Sequence, residues 1–241
     1  MTTDGTKGLD KGEFMEKYLT PIAVLLGALI IGGALIFGHG GTKQADTTAG
    51  QPMAVDIKDV KDEGEPYIGN KNAPVVMAYW FDYQCPFCKQ FEQTTMMDLN
   101  TKYVETGKVK ILLKDFQFLG EDSDTAALFA RAVWDVAPDH FYEWFKAVFA
   151  AQDDEGDVGF GDLASITALT RSKVPSIDTD KVLKVMNDKK DKFTASIAAD
   201  RDEATAFGIN GTPSYIIGTG MLSGAQPTAQ VSALIDAELA K

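Results

Sequence analysis

The run Val75-Val76-Met77-Ala78-Tyr79-Trp80-Phe81 leads into Cys85-Pro86-Phe87-Cys88, which holds both cysteines of the chain, and this junction limits what the chain can fold into. A short continuous stretch of β-branched, aromatic and apolar residues reads as a buried strand. Pro86 suits the first position of a helix, where its missing N–H would be unpaired anyway. Cys85 then falls at the N-cap and Cys88 at the third helical position. Unpaired amide N–H groups and the positive end of the helix dipole meet at the N-cap, and both favour thiolate over thiol. The pattern predicts a dithiol/disulfide redox site, with Cys85 as the attacking or leaving sulfur and Cys88, one turn inward, as the resolving thiol.

Two other uses of a cysteine pair fit less well. A structural disulfide closing so short a loop contributes only about 2 kcal/mol through chain entropy. A zinc site needs four ligands, and the chain adds only His39 and His140, neither at a finger-like spacing. The residues therefore predict no metal and no cofactor beyond the Cys85–Cys88 pair itself.

Leu19 to Phe37 carries no charged residue, and as a helix it would run about 28 Å, close to the hydrocarbon thickness of a bilayer. It predicts a transmembrane helix over 19–38, in contact with membrane lipid, after a cytoplasmic tail of 1–18. A cleaved signal peptide is the rival, but its apolar core would be shorter and followed by a small-x-small site that Gly38-His39-Gly40 supplies poorly. Lys7, Lys11 and Lys17 before the run, against Lys43 and Lys58 after it, bias the N-terminus toward the cytoplasm. The expectation is a single-pass cell-membrane protein whose body lies outside the cytoplasm, where disulfides form and persist. A formal net charge of −12 argues against a nucleic-acid partner, because phosphate binding needs clustered Lys and Arg.

Residues 39–64 are rich in Gly, Thr, Ala, Asp and Lys and read as a linker, with Val55 to Val60 hinting at a short strand. The body spans 65–241 and is of the α/β class. A helix from Pro86 toward Tyr103 separates the first strand from a second over Val109 to Phe118, an order that favours parallel pairing through a right-handed crossover. Ala126, Phe129, Ala130, Val133 and Ala137 share a helical face behind Ser123, a candidate N-cap. Phe141 to Phe149, Leu163 to Leu169, Val182 to Met186 and Phe193 to Phe207 repeat the helical period, their aromatic residues reading as core. Ser214 to Ile217 is a strand, Met221 to Ser223 pairs back on it, and Pro227 opens a last helix.

Gly69-Asn70, Ala73-Pro74-Val75 and Phe81-Asp82-Tyr83-Gln84-Cys85-Pro86-Phe87-Cys88-Lys89-Gln90-Phe91-Glu92 closely resemble the DsbA-like branch of the thioredoxin superfamily. Gly208-Ile209-Asn210-Gly211-Thr212-Pro213-Ser214-Tyr215 resembles the second signature of that branch. The resemblance implies a thioredoxin fold with a helical insert over about 121–207 and thiol:disulfide oxidoreductase activity. It also implies that Pro213 is cis and packs beside Cys85, with Thr212 lining the substrate groove and Pro86 and Phe87 shaping it. Glu92 matches a family acid near the redox site, though alone it reads equally as a solvated helix carboxylate. Asp82 either caps the turn before Cys85 or lies at the surface, and Lys89 either supports a thiolate or points to water. Two departures bear on the tuning of the thiols. Tyr79 stands where many thioredoxin-fold enzymes carry a buried acid, and Phe87 replaces the histidine of the best-known DsbA dipeptide.

Together these features predict a membrane-anchored oxidase of protein thiols. Its partners would be unfolded or reduced substrate proteins and, by family resemblance, a quinone-linked membrane thiol oxidase as electron acceptor. The same dithiol run in the other direction would be a reductase or isomerase. A module that binds peptides without catalysis, a holdase, is the alternative from another class.

Overall fold

The computed structural model describes residues 55–153 and 160–241. The helix expected over 19–38 and the greater part of the expected linker lie outside the described residues; among the described residues no helix is long and apolar enough to cross a membrane.

Five strands form one sheet in the order β1-β3-β2-β4-β5, with β1 at Tyr67–Gly69, β2 at Val75–Phe81, β3 at Val109–Asp115, β4 at Ser214–Ile217 and β5 at Gly220–Ser223. The central pair β2 and β3 is parallel, Val75 facing Val109 and Phe81 facing Asp115, as the β-α-β order predicts. The other neighbours run antiparallel. Strand β2 is apolar on both faces because both faces are covered. Met77, Tyr79 and Phe81 join the larger core, whereas Ala78 and Trp80 join a smaller one with Val55, Val60, Phe207 and Ile209. Trp80 satisfies its indole by donating to the carbonyl of Asp200 at 3.2 Å.

On the larger-core side, α1 (Pro86–Gln93) follows the redox turn and α2 (Thr95–Leu99) continues into a π-helical turn over Asn100–Val104. The single helix expected toward Tyr103 is thus broken at Thr94, where φ is −127° and ψ −87°. Thr94 donates its hydroxyl to the carbonyl of Gln90 at 2.7 Å, a local bond that competes with the helix ladder. Strand β3 ends at Asp115, short of the expected Phe118, because its parallel partner β2 ends at the facing Phe81. Strand β1 was not legible in the pattern, since three residues are too few to show a period. Gly69, with φ of 94°, closes it where a Cβ would run into the Val109 carbonyl.

Between β3 and β4 stands the insert: α3 (Glu121–Val136), α4 (Phe141–Ala151), α5 (Leu163–Lys173), α6 (Thr179–Asp188) and α7 (Lys190–Ala206). Ser123 does not cap α3; the helix starts two residues earlier after Gly120, and Ser123 is buried inside it. The insert is joined to the sheet by aromatic packing, Phe81 meeting Phe145 edge to face at 5.0 Å, which bears out the aromatic residues as core. Helix α8 (Thr228–Leu239) closes the chain, burying Val231 and Ile235.

Val55 to Val60 form a 3-10 turn over Ile57–Asp59 in place of a strand, with Asp56 accepting from the Lys58 amide, and both valines are buried. This end of the expected linker therefore packs on the body. A buried ion cluster holds the next stretch. Arg131 of α3 reaches Glu65 and Asp115 at 2.7 Å each and also pairs with Asp200 of α7. Lys114 of β3 reaches Asp200 at 2.6 Å, Glu203 at 3.0 Å and Glu65 at 3.3 Å. Burial pushes the Glu65 carboxyl up to about 7 against the pull of Arg131.

Candidate active site

Strand β2 ends at Phe81, and the four residues that follow carry the chain to the N-terminus of α1. Asp82 ties that turn down. Its carboxylate is fully buried and accepts from the Gln84 amide at 2.8 Å, the Phe118 and Leu119 amides at 2.9 and 3.2 Å, and the Ser123 hydroxyl at 2.6 Å. The capping alternative holds for Asp82 and the surface alternative does not. Burial raises its pKa, and these hydrogen bonds oppose the rise.

Cys85 occupies the N-cap with extended backbone, φ −74° and ψ 118°, and Pro86 opens the helix as the sequence predicts. Both cysteines are free thiols. The Cys85 thiol donates to the Thr212 carbonyl at 3.4 Å. Its pKa is lowered to about 6: the Cys88 side chain contributes most, and the Thr212 side chain and the backbone N–H groups of Cys88 and Phe87 add to it, against burial. Cys88 has no exposed surface, and burial, reinforced by the neighbouring Cys85, pushes its thiol well above the ordinary range. One helical turn thus holds a thiol of raised acidity and, behind it, one of lowered acidity.

Pro86 is exposed, and Phe87 is 59% exposed beside the sulfur, so the dipeptide faces solvent. The Thr212-Pro213 bond is cis and Pro213 is buried. The buried Thr212 hydroxyl forms no hydrogen bond to any other group among the described residues, which leaves it to act on the Cys85 sulfur.

Glu92 lies one turn beyond Cys88 on the inner face of α1 and is 6% exposed, which rules out the solvated carboxylate. Burial lifts its pKa to about 8, while the Tyr79 hydroxyl and Lys146 pull it partway back. Neither carboxyl oxygen, nor the Tyr79 hydroxyl, has a formed hydrogen bond among the described residues. The ring of Tyr79 packs 5.3 Å from Phe91, filling the place of the absent strand acid with an aromatic side chain. Lys89 does not simply point to water: its ammonium donates to the carbonyl of Gln152 at 2.6 Å. Nothing in the sequence marks Gln152, because a lone glutamine at a helix end has no spacing partner to give it away. Among the described residues no group of three His, Cys, Asp or Glu gathers to hold a metal.

The family model described as Thioredoxin matches residues 61–237. The chain belongs to the thioredoxin family. Within the thioredoxin family it is similar to disulfide bond formation protein D of Bacillus subtilis, 25% identical over 199 residues that make up 80% of this chain and 82% of the relative. Among solved structures the fold matches BdbD from Bacillus subtilis, in its oxidised form, with a TM-score of 0.67 and 24% identity over 74% of this chain and 94% of that one. It also matches the thiol-disulfide exchange protein alpha-DsbA2 from Wolbachia pipientis, with a TM-score of 0.63 and 27% identity over 73% of this chain and 88% of that one. These thioredoxin-family neighbours are DsbA-like, which agrees with the signatures on either side of the redox turn.

Proposed function

We propose that this chain is a protein thiol:disulfide oxidoreductase working in the oxidising direction, outside the cytoplasm, on reduced substrate proteins. The observation that carries the reading is the placement of Cys85 at the N-cap of α1, its sulfur 3.4 Å from the Thr212 carbonyl, with Cys88 fully buried one turn inward; the lowered pKa of Cys85 and the raised one of Cys88 agree with it. In the oxidised enzyme a substrate thiolate attacks the Cys85 sulfur; the Cys85–Cys88 bond breaks, and Cys88 leaves with the electron pair and takes up a proton. A second substrate thiolate then attacks the substrate sulfur of the mixed disulfide and expels Cys85. A sulfur of pKa about 6 is a good leaving group, because a lower thiol pKa speeds departure. Two substrate thiols become one disulfide, and the enzyme is left as the dithiol.

Stabilising the Cys85 thiolate stabilises the reduced enzyme, and that makes the disulfide the stronger oxidant. This supports oxidation over reduction or isomerisation. Turnover requires an acceptor for the two electrons, for which the DsbA-like resemblance suggests a quinone-linked membrane thiol oxidase. The apolar run over 19–38 would anchor the enzyme in the same membrane, N-terminus in the cytoplasm. A glutathione redox titration tests the direction. A potential above the thioredoxin value of about −270 mV supports the oxidase, and one at or below it transfers the reading to a reductase or isomerase.

A further inference from the structure

The redox turn lies outside both β2 and α1, so its shape depends on what grips it from elsewhere. It is closed internally by the Cys85 amide donating to the Asp82 carbonyl at 3.1 Å. Gln152 grips it from the insert. The Nε2 of Gln152 donates to the Tyr83 carbonyl at 2.8 Å, and the backbone carbonyl of the same residue accepts the Lys89 ammonium at 2.6 Å. One residue therefore touches the chain two positions before Cys85 and one position after Cys88. Gln152 is 2% exposed and is itself held at the end of α4 by its amide donating to the Val148 carbonyl at 3.0 Å.

The far end of its side chain sharpens the point. The Oε1 of Gln152 is buried without a hydrogen-bond partner among the described residues. What the amide supplies is the donor aimed at Tyr83. A second strap runs from the Nε2 of Gln84 to the Phe160 carbonyl at 3.1 Å, and Gly161, with φ of 142°, lacks the Cβ that would collide with the Gln84 amide.

We propose that Gln152 is a positioning residue of the redox site: it fixes the turn so that the N–H groups of Phe87 and Cys88 stay aimed at the Cys85 sulfur, and through it the helical insert sets the reactivity of that sulfur. Hydrogen bonds weaken steeply as donor and acceptor fall out of line, so releasing Tyr83 weakens the stabilisation of the thiolate without removing any group that touches it. The proposal rests on the disulfide-exchange reading.

The test is alkylation of the reduced full chain by iodoacetamide across pH, with Gln152→Met as the variant that keeps shape and loses the donor. The expected result is an alkylation midpoint about one pH unit higher, hence a rate about fivefold lower near pH 6 and equal to wild type near pH 9. Gln152→Glu keeps a donor while its new carboxyl is protonated and turns an acceptor toward an acceptor once ionised. Its alkylation midpoint is expected to lie above that of wild type, since the ionised carboxylate no longer holds the Tyr83 carbonyl, and that midpoint decides the matter if Gln152→Met does not fold. A lower thermal midpoint with an unchanged alkylation midpoint would reduce Gln152 to a structural role and overturn the proposal. The readout is independent of turnover: a wild-type chain that failed to exchange disulfides would refute the proposed function while the alkylation midpoints still reported on Gln152.

Discussion

The Sγ of Cys85 lies 3.4 Å from the carbonyl oxygen of Thr212, across 127 positions of sequence. That meeting places Cys85 at the edge of a solvent-facing Pro86-Phe87 pair, while Cys88 is enclosed behind it. Cys85, 3% exposed against none for Cys88, is also the sulfur with the lowered pKa.

Cys88→Ala is therefore expected to accumulate mixed disulfides with substrate proteins, because the resolving thiol is gone and Cys85 still reacts. Cys85→Ala is expected to form none, the remaining thiol being buried and protonated. Non-reducing gels of both variants, followed by mass spectrometry of the linked peptides, check this. Equal trapping by the two would reverse the roles.

The lowered pKa of Cys85 gives a pH dependence with a definite sign. A thiol of pKa about 6 is about 90% ionised at pH 7, against a few per cent for an ordinary cysteine. Because the folded pKa is depressed, its contribution to the stability of the reduced protein is full above the ordinary thiol pKa near 8.5 and is lost as pH falls through about 6. Thermal melts of the reduced and oxidised forms should show the reduced form gaining relative to the oxidised between pH 6 and 8.5. Phe87→His, which adds a donor beside the sulfur, should lower the alkylation midpoint further and raise the potential, about 30 mV for each 1.4 kcal/mol. A potential unmoved by that change would mean that residue 87 does not act on Cys85.

Glu92 works in the opposite sense. Its folded pKa of about 8 lies above the ordinary carboxylate value, so the residue is tolerated below that ordinary value and penalises the folded state increasingly as pH rises toward 8. Glu92→Gln is expected to stabilise the protein by on the order of 4 kcal/mol at pH 8 and by little at pH 4. Urea titrations at the two pH values measure the difference. A variant no more stable than wild type at pH 8 would show that Glu92 is ionised at little cost.

Arg131 faces three buried carboxylates, those of Glu65, Asp115 and Asp200. Arg131→Met leaves Asp115 uncompensated and Glu65 and Asp200 to Lys114 alone, and the expected loss of stability is about 3–5 kcal/mol at neutral pH. The loss should shrink at pH 5, where the stranded carboxylates take up protons. Chemical denaturation at both pH values separates this from simple loss of packing, which would be the same at each.

The sequence made the redox junction legible because strand, proline and cysteines are adjacent and each has a strong local preference. Cys85 at the N-cap, the parallel β2–β3 pair and the insert's aromatic core all follow from such local signals. The cis bond before Pro213 came from resemblance, since an isolated proline carries only a weak cis preference. Features made by distant partners were not legible. Asp82 and Glu92 each read equally as surface carboxylates, because burial is decided by Phe118, Leu119 and Ser123 in one case and by Tyr79 in the other. Gln152 and the Lys114–Arg131 cluster bring together residues from elements far apart in the chain, and no periodicity connects them.

The sheet ends on one side in β1, three residues long, and on the other in β5, four residues long. A protein that handles unfolded polypeptides is continually offered extended strands, and a long bare edge would add them to itself. Here one edge is stopped at Gly69, and the other offers only Gly220–Ser223. So short a template gives a passing chain too few backbone partners to seed aggregation.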